Sequence, residues 1–354
     1  MAASPSSASI AAVDLFCGVG GLTYGLRRAG IDVRLGVDID EECRYPFEVN
    51  NDIPFAQKSV CDVTPQEITA AWRGAKYTLL AGCAPCQPFS TYRQANTPSD
   101  DHRWPLLREF ARLVEKTKPD FVTMENVPRL EDQDVFREFV RSLERGGYKV
   151  SASVVDCSDY GVPQQRHRLV LLASRHGPIQ LRGRRPASKA PPTVREAIAD
   201  LPPLKAGERC EADPLHQASS LSGINLARIR ASTPGGTWRD WPRDLRAKCH
   251  RRDTGRGYAS VYGRMAWDEP SPTMTTQFFG FGNGRFGHPD QDRGISLREG
   301  ALLQSFPKKY EFVRPNEPAH FKIIGRLIGN AVPVKLADAI GRSFVAHANE
   351  LQGA

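Results

Sequence analysis

At 354 residues the chain exceeds the roughly 250–300 at which a single hydrophobic core stops growing, so two unequal domains are expected. With 40% hydrophobic and 25% charged residues it lacks both the apolar run of about 18 residues that a bilayer span needs and a signal-peptide pattern, which excludes a membrane protein and points to a cytoplasmic one. The formal charge of +8 is concentrated between residues 176 and 264, where 17 Lys and Arg face 8 Asp and Glu, and such a confined basic stretch is the electrostatic footprint of a polyanion partner.

Residues 1–9, rich in Ala and Ser, read as a disordered leader. From 10 to 175, short apolar runs alternate with amphipathic stretches, as in an α/β fold with a doubly wound, mostly parallel sheet. Strands are expected at 11–16, 32–37, 77–81, 121–124, 149–155 and 169–173, each short and bounded by turn residues. Helices fill the gaps. Leu106, Leu107, Phe110, Leu113 and Val114 share one helical face within 103–118, and Val135, Phe136, Phe139, Val140 and Leu143 repeat this before a Gly146-Gly147 stop. After residue 173, Arg182-Gly-Arg-Arg-Pro and Ala190-Pro-Pro-Thr open a basic region with little periodicity, expected as a smaller, loop-rich domain over 176–310. Near the end, Leu336, Ala339, Ile340 and Phe344 have helical spacing, so 311–354 is expected to return to the first domain.

The first expected strand ends in Asp14-Leu-Phe-Cys-Gly-Val-Gly-Gly, and a helix follows from Leu22 until Gly30 stops it. Glycines there let a ligand approach the backbone, and Asp38, twenty residues beyond Gly18, closes the second strand where ribose hydroxyls are bound in such sheets. NAD and S-adenosylmethionine both fit this pattern. Asp14 begins to separate them, because a carboxylate beside the glycine loop repels a pyrophosphate but suits the cationic methionyl end of S-adenosylmethionine. Asp62 is read equally as an adenine contact and as a turn residue before Thr64-Pro65.

The strand at 77–81 opens into Gly82-Cys-Ala-Pro-Cys-Gln-Pro-Phe-Ser, which places Cys86 at a carboxyl strand end, where α/β sheets hold ligands. Cys83 and Cys86 also spell C-x-x-C, the pattern of a redox pair or of half a zinc site, but no second pair completes a metal site and none is expected. Eight cysteines in a chain this long are too sparse for a disulfide scaffold. The next strand ends in Met124-Glu-Asn-Val, and Gly161-Val-Pro-Gln-Gln-Arg-His-Arg follows, so a thiol, a carboxyl and guanidinium groups are candidates for one cleft.

The glycine loop at 14–21, Pro85-Cys-Gln-Pro-Phe-Ser, Glu125-Asn-Val, Gln164-Gln-Arg-His-Arg, Leu303-Gln-Ser-Phe-Pro and Gly329-Asn-Ala-Val-Pro, in this order across nearly the whole chain, resemble the DNA cytosine-5 methyltransferases of bacterial restriction-modification systems. The resemblance implies that Phe16 stacks near an adenine with Ile39 on its face, that Asp38 binds the ribose and Asp62 the adenine amino group, and that Asn330 supports the methionine pocket, with Asp14, Gly18, Gly20 and Gly21 forming the rest of the cofactor site. It further implies that Cys86 attacks C6 of cytosine, that Glu125 bonds the N3 and amino edge, that Arg166 contacts O2 while Arg168 braces the site, and that Gln87, Ser90 and Gln164 lie against the DNA. Chemistry on a stacked base requires its extrusion from the duplex. The basic segment becomes the target-recognition domain by the same resemblance, with Trp238 and Trp241 as either groove readers or structural residues. Duplex DNA is the implied partner, with a cognate restriction endonuclease acting separately, one copy of the chain on the DNA, and nucleoid association. A catalytically silent DNA binder and an RNA cytosine-5 methyltransferase are the alternatives. Three departures from the usual pattern stand out: Gly82-Cys-Ala-Pro for Gly-Gly-Pro-Pro, Leu302 for a common arginine, and Leu327 for a common glutamine.

Overall fold

The computed structural model describes residues 9–85, 105–252 and 261–353, so the expected leader lies outside it apart from Ser9. Two compact units are present. The first comprises Met1–Asp156, His167–Arg185 and Val332–Ala354, and the second Cys157–Arg166 and Pro186–Ala331.

The first unit is built on seven strands: β1 (Ile10–Leu15), β2 (Asp32–Asp38), β3 (Phe55–Gln57), β4 (Tyr77–Gly82), β5 (Phe121–Asn126), β6 (Lys149–Asp156) and β7 (His167–Ser174). Their order is β3-β2-β1-β4-β5-β7-β6, parallel through β5, with β7 antiparallel to both of its neighbours. This is the doubly wound, mostly parallel sheet expected. β1 and β5 are buried along their whole length because strands inside such a sheet are covered on both faces, which is why they begin with apolar residues and carry Asp14, Glu125 and Asn126, also buried, at or near their carboxyl ends. The strand order reverses between β1 and β4, and such a switch point opens a crevice at the carboxyl strand ends. Pairing of Leu15 with Gly82, and of Gly82 with Met124, sets those ends of β1, β4 and β5 side by side.

The helices of this unit are α1 (Gly21–Arg28), α2 (Arg44–Asn51), α3 (Pro65–Ala71), α4 (Pro105–Thr117) and α5 (Asp134–Arg145). Thr64 and Glu67 form a reciprocal capping box that starts α3, with Pro65 at its first position. On α4 and α5, Phe110 and Phe139 meet at 5.5 Å, as their shared helical faces require. β3, a strand of three residues directly after Pro54, is too short to show a periodicity and exists through its pairing with Gly36–Asp38 in β2.

In the second unit the helices are α6 (Val194–Ile198), α7 (Gly223–Arg230), α8 (Leu297–Leu303) and α9 (Phe321–Asn330), and α10 (Val334–Gly353) then belongs to the first. The expected boundaries of 176–310 and 311–354 need correction. Residues 176–185 stay with the first unit, and the chain rejoins it at Val332. The cause is packing: α9 belongs to the second unit because Gly325 lies against Phe279 and Gly329 against the Thr275 carbonyl, approaches that a Cβ would block. α10 closes on α1 in the same way, since a Cβ on Gly25 would run into that of Ala337.

Few long helices organise the second unit. It relies on buried polar groups and a small aromatic core instead. Arg293, fully buried, donates to both oxygens of Glu299 at 2.7 Å, and Arg298 pairs with Asp213 at 2.6 Å. Trp238 and Trp241 are 3% and 1% exposed, packed with Ile229 and Phe281, and Trp241 donates to Ser232 Oγ. Their role is therefore structural, and the groove-reading alternative falls.

Candidate active site

The loop after β1 is held open by its backbone. Phe16, Gly18 and Gly20 take φ of 58°, 52° and 87°, a region that costs Phe16 strain and the glycines little. Gly20 caps α1, which Gly21 begins, and space is open where a Cβ on Gly18 would point. Asp38 ends β2 and fixes the loop, accepting from Gly18 N at 2.9 Å and from Asp40 N at 3.0 Å. Burial pushes its carboxyl above the ordinary range, opposed by those two N–H groups. Beside it Ile39 is 70% exposed, a large apolar side chain left uncovered at the strand end. Asp62 is exposed at the end of the turn Val60–Asp62.

Asp14 is fully buried on β1. Thr23 Oγ1 donates to its Oδ2 at 2.6 Å, while Oδ1 has no hydrogen-bond partner among the described residues. Burial raises its pKa to about 7; the Thr23 bond opposes the rise and the charge of Asp38 adds to it. A buried carboxyl oxygen without a donor is costly unless a ligand supplies one. Together with the open glycine loop, the carboxylate of Asp38 at the end of β2 and the bare Ile39, it fits a cationic adenosine compound such as S-adenosylmethionine.

Glu125 ends β5 and is 3% exposed. Cys83 Sγ lies 3.1 Å from its Oε2, and Arg168 Nε is 2.9 Å from its Oε1. The Arg168 approach is an ion pair without hydrogen-bond alignment, so Oε1 keeps no hydrogen-bond partner among the described residues. Asn126 Nδ2 donates at 3.0 Å to Ala84 O, tying the end of β5 to the loop after β4. Sequence reasoning tied neither Cys83 to Glu125 nor Asn126 to Ala84, which the register of β4 and β5 brings together, nor Thr23 to Asp14, which meet where α1 packs on β1.

Arg166, Gln164 and Asn330 belong to the second unit. Arg166 is 2% exposed and donates to Met274 O at 2.9 Å and Gly329 O at 3.1 Å. Gln164 is wholly buried, its amide bonded to Gln304 Oε1 and Leu303 O and its carbonyl accepting from Met274 N. The expected contact of Gln164 with DNA is corrected on this ground: the side chain is consumed in joining distant loops of its own unit. Asn330 ends α9 and is exposed.

Residues 10–346 match the family model of C-5 cytosine-specific DNA methylases. The chain belongs to that family. It is thereby a DNA cytosine-5 methyltransferase. It is similar to the Type II methylase M.HgiDII of Herpetosiphon aurantiacus, with 49% identity over 340 residues and 94% of each chain covered, and to the Type II methyltransferase M1.HphI of Haemophilus parahaemolyticus, with 32% identity over 342 residues covering 95% of this chain and 87% of that one. The solved structure of a prophage-encoded DNA modification methyltransferase from E. coli superposes with a TM-score of 0.73 at 23% identity, covering 96% of this chain and all of that one, and so shares its fold. In this methyltransferase Cys86, Gln87 and Ser90 lie outside the described residues, and the described chain before them ends at Pro85, after the anchored Ala84. No described helix is long and apolar enough to cross a membrane.

Proposed function

We propose that this enzyme transfers the methyl group of S-adenosylmethionine to C5 of a cytosine turned out of duplex DNA, with Cys86 as the nucleophile at C6. The observation that carries the reading is Glu125, a buried carboxylate braced by Arg168 at a carboxyl strand end, whose Oε1 lacks a hydrogen-bond donor among the described residues. The N3 and amino edge of cytosine supplies what that oxygen lacks. An aromatic C5 is a poor nucleophile until thiolate addition at C6, helped by hydrogen bonding or protonation at N3, makes the ring an enamine. Bound S-adenosylmethionine supplies an electrophilic methyl group on a sulfonium. C5 takes that methyl, loses its proton, and the ring expels Cys86. Arg166 contacts O2, and extrusion of the base costs a few kcal/mol.

For the cofactor, Asp14 faces the methionyl ammonium, Asp38 the ribose, Phe16 and Ile39 the adenine and Asp62 its amino group, with Gly18, Gly20 and Gly21 providing the close backbone and Asn330 supporting the methionine end. The charge on Asp14 makes this testable by pH. A neutral acid cannot balance a cation, whereas a carboxylate can, so affinity for S-adenosylmethionine should rise as pH climbs through about 7 and level off above it. Titration calorimetry between pH 5.5 and 8.5 should show the dissociation constant falling by up to about tenfold per pH unit on the acid side. Asp14→Asn should bind weakly with that slope gone; a pH-independent wild-type affinity would remove Asp14 from the ammonium.

We read the second unit as the target-recognition domain and duplex DNA as its ligand, in a restriction-modification setting where one copy of the chain acts on DNA apart from any cognate endonuclease. Its many cations are not equivalent. Arg228, Arg246 and Arg251 donate to backbone carbonyls, and Arg264 to Ile229 O, His288 O and Asp292, so these stabilise loops. Arg243, Lys248 and Arg252 are exposed and make no ion pair among the described residues. Arg243→Gln or Lys248→Gln should weaken binding to all sequences alike and lower the slope of log K against log salt by about one unit each. An unchanged slope in both would take the phosphates elsewhere.

The whole reading is tested by incubating the enzyme with S-adenosylmethionine carrying a labelled methyl group and with duplex DNA, then identifying the product base. The expected product is 5-methylcytosine in DNA. Label in RNA alone would favour the RNA-modifying alternative, and DNA binding without label the silent one.

A further inference from the structure

We infer that Cys83 is a positioning residue for Glu125, holding one carboxylate oxygen so that the other faces the cytosine. The inference rests on the proposed contact between Glu125 and the base edge, and it concerns a position where the family pattern usually has glycine. A carboxylate at a strand end turns about its last side-chain bond, and although its two oxygens are equivalent, the plane they define drifts unless neighbouring groups hold it. Here two groups do so. Cys83 Sγ sits at 3.1 Å from Oε2, and Arg168 Nε at 2.9 Å from Oε1 supplies charge without a hydrogen bond to it.

The thiol is placed by the backbone rather than by chance. Cys83 follows Gly82, whose register partner is Met124, so the next residue on each strand, Cys83 and Glu125, emerges at the same level of the sheet. Cys83 N donates to Leu15 O at 3.3 Å, and Asn126 Nδ2 holds the following carbonyl, that of Ala84, at 3.0 Å. With backbone fixed on both sides, the Cβ of residue 83 has one direction, toward Glu125. A glycine there would offer no donor. A thiol is a weaker donor than a hydroxyl, yet against a buried carboxylate even a modest bond selects one orientation. Freed from it, the Glu125 carboxylate would spend part of its time with its plane rotated so that neither oxygen is aimed at the base edge, and turnover would fall in proportion while substrate binding stayed.

The test is a set of full-length variants, Cys83→Ala, Cys83→Gly and Cys83→Ser, made in the wild-type and in the Glu125→Gln background, with kcat, DNA KM and cofactor dissociation constant measured for each. Cys83→Ala should lower kcat about tenfold, with DNA KM and cofactor affinity within about twofold. Cys83→Gly should fall with it, and serves in its place should the alanine variant not fold. Cys83→Ser, which restores a donor, should return to within about threefold of wild type. In the Glu125→Gln background the alanine change should cost no more than about twofold, since the group it acts through is altered. Equal losses in the two backgrounds, a serine variant as slow as alanine, or an alanine variant at the wild-type rate would each overturn the assignment of Cys83. Full activity of Glu125→Gln by itself would instead overturn the reading of Glu125, so the two failures are distinct.

Discussion

Cys86→Ser should abolish methyl transfer, with turnover falling by at least roughly 1000-fold while cofactor and DNA binding persist. A hydroxyl is far less nucleophilic than a thiolate at neutral pH, and without addition at C6 the C5 carbon of cytosine has no electron density to offer the methyl group. The same step predicts a trap. Duplex DNA with 5-fluorocytosine at the target should form a covalent complex with the wild-type enzyme that survives denaturation, because fluorine at C5 cannot leave as a proton and Cys86 cannot be expelled. Mass spectrometry of the digested complex should place the adduct on Cys86, and Cys86→Ser should give none. Methylation without an adduct, or an adduct on Cys83, would move the nucleophile.

Glu125→Gln should slow the chemical step by about 100-fold or more and leave the dissociation constant for S-adenosylmethionine within about twofold of wild type. The substitution keeps the shape of the side chain and removes its charge and its capacity to share a proton with N3. It also converts the pairing with Arg168, both side chains being nearly buried, into an unbalanced cation, which adds a stability cost that thermal melting will report separately. Single-turnover measurements distinguish slow chemistry from weak base binding. If cofactor affinity fell as far as the rate, Glu125 would belong to the cofactor pocket instead, a placement its distance along the sheet from Asp14 on β1 disfavours, since β4 runs between the two strands.

The fold class was legible in the sequence because covered parallel strands must be largely apolar and their helices amphipathic; β1, β4 and β5 needed no tertiary information to be found. The order of motifs carried the family, and the glycine loop with Asp38 marked the end of the sheet proposed to hold the cofactor. Chemistry at those positions follows from residue type at a strand end, which is a local property. What the sequence could not show depends on which residues meet across strands. The bond from Thr23 to Asp14 is one case, since it joins the start of a helix to the strand before it. The bonds of Cys83 to Glu125 and of Asn126 to Ala84 each span 42 positions and exist only through the register of β4 and β5. The same holds for the second unit. Net charge identified it as basic, but tertiary packing alone separated the arginines spent on carbonyls from the exposed Arg243 and Lys248, and turned Gln164, Trp238 and Trp241 inward. Composition records how many cations and aromatic rings a segment has. Burial and hydrogen bonding decide which of them remain available to a ligand, because a side chain in a loop-rich unit must first satisfy the backbone around it.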